Sequence, residues 1–451
     1  MEDGSWIIWV VALLKNAFAV GFVMNIVPLL IWAERKGAAY IQDRPGPNRA
    51  HILGIRAAGL VHTLNDVVKL ITKEDIIPSH VMKAFWFAAP VISMSVALCT
   101  FIVVPWGDYL LLPLSLTGLV GMTEAFSVPL QVANLDGGML VILAISSLGV
   151  YGIMLAGWSS NNKFSLLGGL RSSAQMISFE LPMGLVVAAM FLVYGTVQLD
   201  VMVSQQSGAI WNWGVFSGFG IIGIPAFIMF WVAVFAETNR LPFDLPEGEA
   251  ELVAGYHTEY SSLRFALFFM AEYAHMIVGS AVTATLFFGG YNVPFLDGTT
   301  LRANADLILI IVGFGAVVPL LAFSAIAWQR RDRPFYKAIP KDDIRHREPK
   351  FWTVVWALLA VAHIGVGVLG LSGYVGTTIL GPEVVAGVAQ LTSLVVKVLI
   401  GCWIIIWVRW TLPRFRYDQL MTLGWRGMLP ASLVLVLLAG VWVVVRHTLL
   451  A

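Results

Sequence analysis

The sequence predicts an all-α fold, a polytopic bundle of about ten transmembrane helices. Three observations predict it. Of 451 residues, 58% are hydrophobic and only 12% charged, against roughly 25% charged in a soluble domain. Apolar runs of about twenty residues recur along the whole chain, each able to cross about 30 Å of hydrocarbon as a helix. The period-2 alternation of an outer-membrane barrel does not occur in it, and only helices or closed barrels satisfy the backbone in lipid.

In chain order the runs lie near 6–32, 81–104, 139–158, 177–197, 217–236, 263–288, 304–327, 351–373, 385–408 and 428–449. The first is too long for a signal-peptide core and has no small-residue cleavage site before Trp32, so it is expected to stay as a span. Between the first two runs, Leu60, Leu64, Val67, Val68 and Ile71 fall near helical spacing, with Asp66, Lys69 and Lys73 among them. This segment reads either as an amphipathic helix on the membrane surface or as an ordinary packing helix. Basic residues crowd the connections after the first run (Arg35 to Lys73), the seventh (Arg330 to Lys350) and the ninth (Arg409 to Arg426). Loops 105–138, 198–216 and 374–384 have no Lys or Arg. The positive-inside rule therefore makes the odd connections cytoplasmic and puts both termini outside, in a bacterial inner membrane periplasmic.

Ionisable groups inside a bilayer cost about 2.5 to 3.5 kcal/mol each on insertion scales, so each needs a reason. Glu180 is expected at the start of the fourth span, Glu237 at the end of the fifth, and Glu272 within the sixth beside Tyr273 and one turn from His275. Asp244, Glu247, Glu249, Glu251 and Glu259 fill the next loop, "ETNRLPFDLPEGEAE" and its continuation, where Arg240 is the one basic residue. Crowding and desolvation both disfavour ionised carboxylates, so such a line of groups can pass protons near neutral pH. The bland reading is that these groups cap helices, face water or pair with Arg240 or Arg171; it is weakest for Glu272. A haem held by His275 and His363 is disfavoured, because a bis-histidine pair needs facing helices at matched depth. Cys99 and Cys402 both lie inside apolar runs, and the chain has no Walker loop, dinucleotide fingerprint, CxxC or nucleophile motif. Metal and redox cofactors are expected on other chains, and nothing points to nucleic acid.

The stretches "AERKGAAYIQDRPGPNR" (33–49), "DVVKLITKED" (66–75), "SSLGVYGIMLAGWSSNNKFSLLGGLRSSAQMISFE" (146–180), "AETNRLPFDLPEGEAELVAGYHTEYSSLRFALFFMAEYAHM" (236–276) and "WVRWTLPRFRYDQLMTLGWR" (407–426) resemble the H subunit of proton-pumping NADH-quinone oxidoreductase. This is respiratory complex I, whose mitochondrial counterpart of this subunit is NADH dehydrogenase subunit 1. The resemblance implies a membrane subunit that shapes the quinone entry chamber, with FMN and iron-sulfur clusters in partner subunits. It implies hydrophilic quinone-site subunits and antiporter-like membrane subunits as partners, besides quinone and lipid. Carried over by motif, Arg35, Arg44, Asp66, Lys69 and Phe269 would line the quinone entry. Glu180, Glu237, Glu247, Glu249, Glu251, Glu272 and Tyr273 would form a proton path, with Arg171, Arg240, Asp244, Arg409, Arg414 and Asp418 as charged partners. No catalytic residue or activity is expected of the isolated chain.

The chain departs from the usual eight spans of the family. It divides into a bundle with chamber loops and acidic path (1–290), two inserted helices with a charged cytoplasmic loop (291–384), and two C-terminal spans joined by a loop with "RFRYDQL" (385–451). The basic loop 329–350 would anchor the inserted helices or dock an extra subunit. The segment 106–138, with Glu124 and Asp136, is longer and more apolar than the family suggests, and Phe179 stands where Tyr is common. Two alternatives remain: the membrane anchor of a related hydrogenase or ferredoxin-type dehydrogenase, and a stand-alone ion transporter. The second would be expected to show inverted repeats, which the sequence lacks.

Overall fold

The computed structural model describes residues 5–42, 44, 46–53, 56–112, 126–218, 220–246, 248–330, 347–378 and 380–449. Its principal helices are α1 (Ser5–Ile41), α2 (Leu60–Thr72), α3 (Lys83–Phe101), α4 (Gly138–Ser159), α5 (Lys163–Tyr194) and α6 (Gly223–Glu237). They continue with α7 (Ser262–Phe287), α8 (Ala305–Arg330), α9 (Arg347–Leu371), α10 (Gly381–Thr411) and α11 (Leu429–Leu449). The fold is an all-α membrane bundle, as the composition requires. Among the described residues nine helices are long and apolar enough to cross a membrane.

The remaining expected span is α6, whose 15 residues give about 22 Å, short of a hydrocarbon core of about 30 Å. The run from 217 does not become helix at once, because Gly218 and Gly220 take positive φ, a conformation that interrupts a right-handed helix. A short helix must leave one of its ends within the apolar layer or bend that layer to meet it. Glu237 is the last residue of α6.

Two other boundaries move. The helix of the fourth run begins at Lys163, where the Asn162 side chain accepts the Phe164 N–H at 2.9 Å, a typical N-cap. Glu180 therefore sits mid-helix rather than at a start. The last span begins before 428, since a helical turn Tyr417–Thr422 and a π-helical segment Leu423–Met428 run directly into α11. Within segment 106–138, β1 (Tyr109–Leu112) pairs antiparallel with β2 (Phe126–Pro129). Asp136 accepts from the Gln198 amide at 2.6 Å; Glu124 lies outside the described residues.

The core is shared by α5, α6 and α7, where Phe179, Phe230, Tyr273, Met276 and Phe287 are fully buried. On the extended N-terminal half of α5, a Cβ at Gly168 would lie 2.7 Å from the Gly255 Cα. The loop after α6 is therefore laid directly on α5. Helices α8 and α9, the two spans expected as an insertion, pack along one another. Most of their basic linker, residues 331–346, lies outside the described residues. On α2, Leu64, Val68 and Ile71 are exposed and Val67 turns to the cavity between α1, α2 and α7, an apolar stripe compatible with both readings of this helix.

Candidate functional site

A cavity of roughly 600 Å³ opens between α1, α2 and α7, within the size range of small-molecule pockets. Four of the five residues expected at a quinone entry line it: Arg35, Asp66, Lys69 and Phe269. Helical spacing explains α1's share, because Val27, Ile31 and Arg35 recur every four residues on one face. Apolar side chains including Leu70, Phe265 and Met270 form most of the wall, and Arg35 closes an ion pair with Asp66. The Ser262 hydroxyl donates to the carbonyls of Leu70 (2.8 Å) and Lys73 (3.0 Å), tying the start of α7 to the end of α2. Arg44 is not among the lining residues. It is exposed and bonds to Gln42 at 2.6 Å.

Behind the cavity, on the next face of α1, lies a carboxylate that sequence reasoning passed over. Glu34 accepts from the Tyr273 hydroxyl at 2.6 Å and from Arg240 Nη1 at 3.2 Å, and forms an ion pair with Arg409. Arg240 also lies 3.6 Å from Glu272, and its guanidinium stacks 4.0 Å from the Tyr273 ring. Tyr256 donates to Glu272 at 3.3 Å. Among the described residues two carboxylates thus face two guanidiniums in a largely buried cluster, and Phe269 separates it from the cavity, with its ring 5.1 Å from Tyr273. Glu272 is therefore an ion-paired group facing the loop, not an isolated mid-span charge. The available signal for Glu34 is its position: it begins the charged run that ends the first span, where basic residues outnumber it.

Three small cavities continue inward, two of roughly 20 Å³ and one of roughly 10 Å³, the scale of single water molecules. All three share Glu237. The first joins it to Glu272, Asn239 and His275, the second to Ser146 and His275, and the third to Ser146 and Glu180. Glu180 is hydrogen-bonded to Ser147. The end of α6 is fixed by α5, whose Gln175 amide donates to the Ala236 carbonyl (2.7 Å) and whose Ser172 donates to Asn239 (3.1 Å). Phe179 leaves no hydroxyl here; it is buried against Phe243, with the ring centres 5.6 Å apart.

Other expected residues lie apart from this line. Asp244 pairs with Arg414 at 2.6 Å, holding the loop after α6 to the loop before α11. Arg171 pairs with Glu251 at 2.6 Å on the surface, and Asp418 pairs with exposed Arg416 at 3.2 Å. Glu247 lies outside the described residues, as does the side chain of Glu249. His363 lies on α9 and bonds the Leu359 carbonyl of its own helix at 2.8 Å, while His275 faces the Glu237 cavities.

His257, in the same loop, is buried against Tyr256, Phe265 and Phe268. Burial pushes its pKa down to about 3. Below the ordinary value of about 6.5 the unfolded chain takes up a proton that the folded chain refuses, so this contribution is complete above that pH and is lost as pH falls. Between pH 7 and 5 the wild-type protein in detergent is expected to lose about 2 kcal/mol more stability than a His257→Phe variant. Equal acid slopes in thermal unfolding would show that His257 protonates freely in the fold.

The family model described as NADH dehydrogenase matches residues 14–440. A protein of Solibacter usitatus, named as an H subunit of NADH-quinone oxidoreductase, is 42% identical over 432 residues, 95% of this chain and 96% of that one. The protein of the same name from Leptospira biflexa is 41% identical over 440 residues, 97% and 95% of the two chains. NADH-quinone oxidoreductase subunit 8 of Rhodothermus marinus is 40% identical over 417 residues, 92% of each.

Proposed function

The chain belongs to the NADH dehydrogenase family that contains the H subunit of NADH-quinone oxidoreductase, and from that premise we propose that it forms the quinone entry and the first proton-coupling groups of its complex. The observation that carries this reading is the contiguity of cavity and carboxylates. One apolar chamber with Arg35, Asp66 and Lys69 on its wall is separated by Phe269 and Tyr273 from Glu34, Arg240 and Glu272. Reducing a quinone to quinol takes two electrons and two protons. The electrons come from iron-sulfur clusters of hydrophilic partner subunits, filled through FMN. This chain supplies an apolar passage for the tail, and charged groups that set the potential around the headgroup.

Charge arriving in a poorly solvated chamber changes the protonation preference of carboxylates nearby. Glu272, Glu237 and Glu180, joined in that order by water-sized cavities, are placed to relay such a change toward antiporter-like subunits. The basic connections are cytoplasmic on this reading, and the chamber opens at that side of an inner membrane. The quinone-using reading is favoured over the hydrogenase anchor because relatives aligned over nearly the whole chain bear the quinone oxidoreductase name. Filling the chamber tests the proposal. With Ala266→Trp, a substitution on its wall, electron transfer from NADH to a short-chain quinone is expected to fall at least about ten-fold. Reduction of a hydrophilic acceptor that takes electrons upstream should persist. Full quinone reduction in the assembled variant would move the entry elsewhere.

A further inference from the structure

The inserted pair α8–α9 touches the bundle at a telling place. At the first turn of α9, Glu348 forms a 2.7 Å ion pair with Lys36 of α1 and accepts from the Tyr40 hydroxyl at 2.6 Å. Lys36 is 2% and Glu348 9% exposed. One turn along α9, the Trp352 ring lies 5.9 Å from that of Trp32. Trp32 in turn donates from Nε1 to the Ala58 carbonyl at 3.1 Å, in the turn that opens α2. Residues 32, 36 and 40 recur every four residues, so α1 presents one stripe to α9 and another, through Val27, Ile31 and Arg35, to the cavity. The first turns of α9 thus grip, from behind, the two elements whose front faces form the chamber wall.

A buried ion pair is a poor choice for stability alone, since an apolar pair of the same volume serves as well or better; its best-attested use is to fix register. Close approach of the two inserted helices makes them stiff enough to hold such a register: a Cβ at Gly313 of α8 would lie 2.3 Å from the Gly367 backbone nitrogen of α9. We infer that the inserted helix pair is a brace for the chamber opening, with Lys36 and Glu348 as positioning residues that set where α1 and the start of α2 stand. This inference rests on the reading of the cavity as the quinone entry. Residues 36 and 348 are not among the residues that line the cavity, and the contacts described for the carboxylate cluster do not include them. Their loss should therefore change how quinone is admitted rather than how fast it is reduced once bound.

The test uses the native complex in membranes. Glu348→Gln and Lys36→Met are each expected to raise KM for a short-chain quinone three- to ten-fold, with kcat held within two-fold. The exchanged pair, Lys36→Glu with Glu348→Lys, should bring KM back within two-fold of wild type. Should either charge variant fail to accumulate, Trp352→Leu loosens the same contact without stranding a charge and should give the same rise in KM. Unchanged KM in assembled single variants would overturn the brace, as would a rise that the exchanged pair does not repair. The Ala266→Trp variant in the same membranes separates the two ideas. If it blocks quinone reduction while the Lys36 and Glu348 variants keep their KM, only the brace fails; if it does not block, the quinone reading itself has failed.

Discussion

Replacing Glu34 by Gln is expected to cost most of the NADH-quinone reductase activity and much of the assembled complex. Among the described residues, Glu34 and Glu272 face Arg240 and Arg409 inside the bundle. Gln keeps the size of the side chain and can still accept one hydrogen bond, but it leaves a net positive charge among groups that are mostly buried. Stranding a buried guanidinium in this way costs about 3 kcal/mol, a factor of more than about a hundred in the populations of competing states. Removing one positive charge at the same time should repair much of the damage, because neutrality returns. A double variant, Glu34→Gln with Arg409→Gln, is therefore expected to accumulate better than the single one, a coupling that two independent sites would not show. Arg409 is the better partner to remove, as it is the more exposed of the two guanidiniums. Complex content on native gels and quinone reductase activity in membranes provide the readout. A Glu34→Gln complex present at wild-type level and fully active would mean that the cluster carries neither the fold nor the chemistry.

How much of this could be read from the sequence depends on what kind of contact decides each feature. Apolar runs are a local signal, so the helices and most of their order follow from composition. The short α6 does not, because Gly218 and Gly220 end the run's helical potential through backbone conformation rather than polarity. The start of α5 also escapes the hydropathy pattern: its first turns mix Leu166, Leu167 and Leu170 with Lys163, Arg171, serines and two glycines, and the Asn162 cap is the signal that marks it. At the site, residues of three separate stretches converge, as Arg35, Asp66, Lys69 and Phe269 do on one cavity. Residue type alone could not distinguish Arg44, which has the same charge and lies nine residues after Arg35, yet faces outward. Glu34 was hidden for the opposite reason. Its importance comes from partners more than two hundred residues away, Arg240, Tyr273 and Arg409, and no spacing within "AERKG" announces them.

The carboxylate line makes its sharpest claim at Glu237. Gln at this position preserves volume and hydrogen-bonding capacity and removes a single ionisable proton. Stability should therefore change little, in contrast to Glu34, where a paired charge is lost. Because Glu237 borders every one of the three small cavities, it is the carboxylate that connects Glu272 with Glu180 among the described residues. In the assembled Glu237→Gln complex both quinone reduction and the proton gradient it builds are expected to fall at least about ten-fold, since a proton-coupled step that cannot move its proton stalls the electrons with it. Glu251 supplies the contrast. It is well exposed and paired with Arg171 at the surface, where ion pairs contribute about 0 to 1 kcal/mol, so Glu251→Gln should leave both quantities within about two-fold. Normal rates and gradients in Glu237→Gln would reduce this residue to a helix-end carboxylate and take the proton route out of these cavities. Electron transfer that continues while the gradient disappears would keep the route through Glu237 and abolish only the tight coupling, because the electrons would then be running without waiting for the proton.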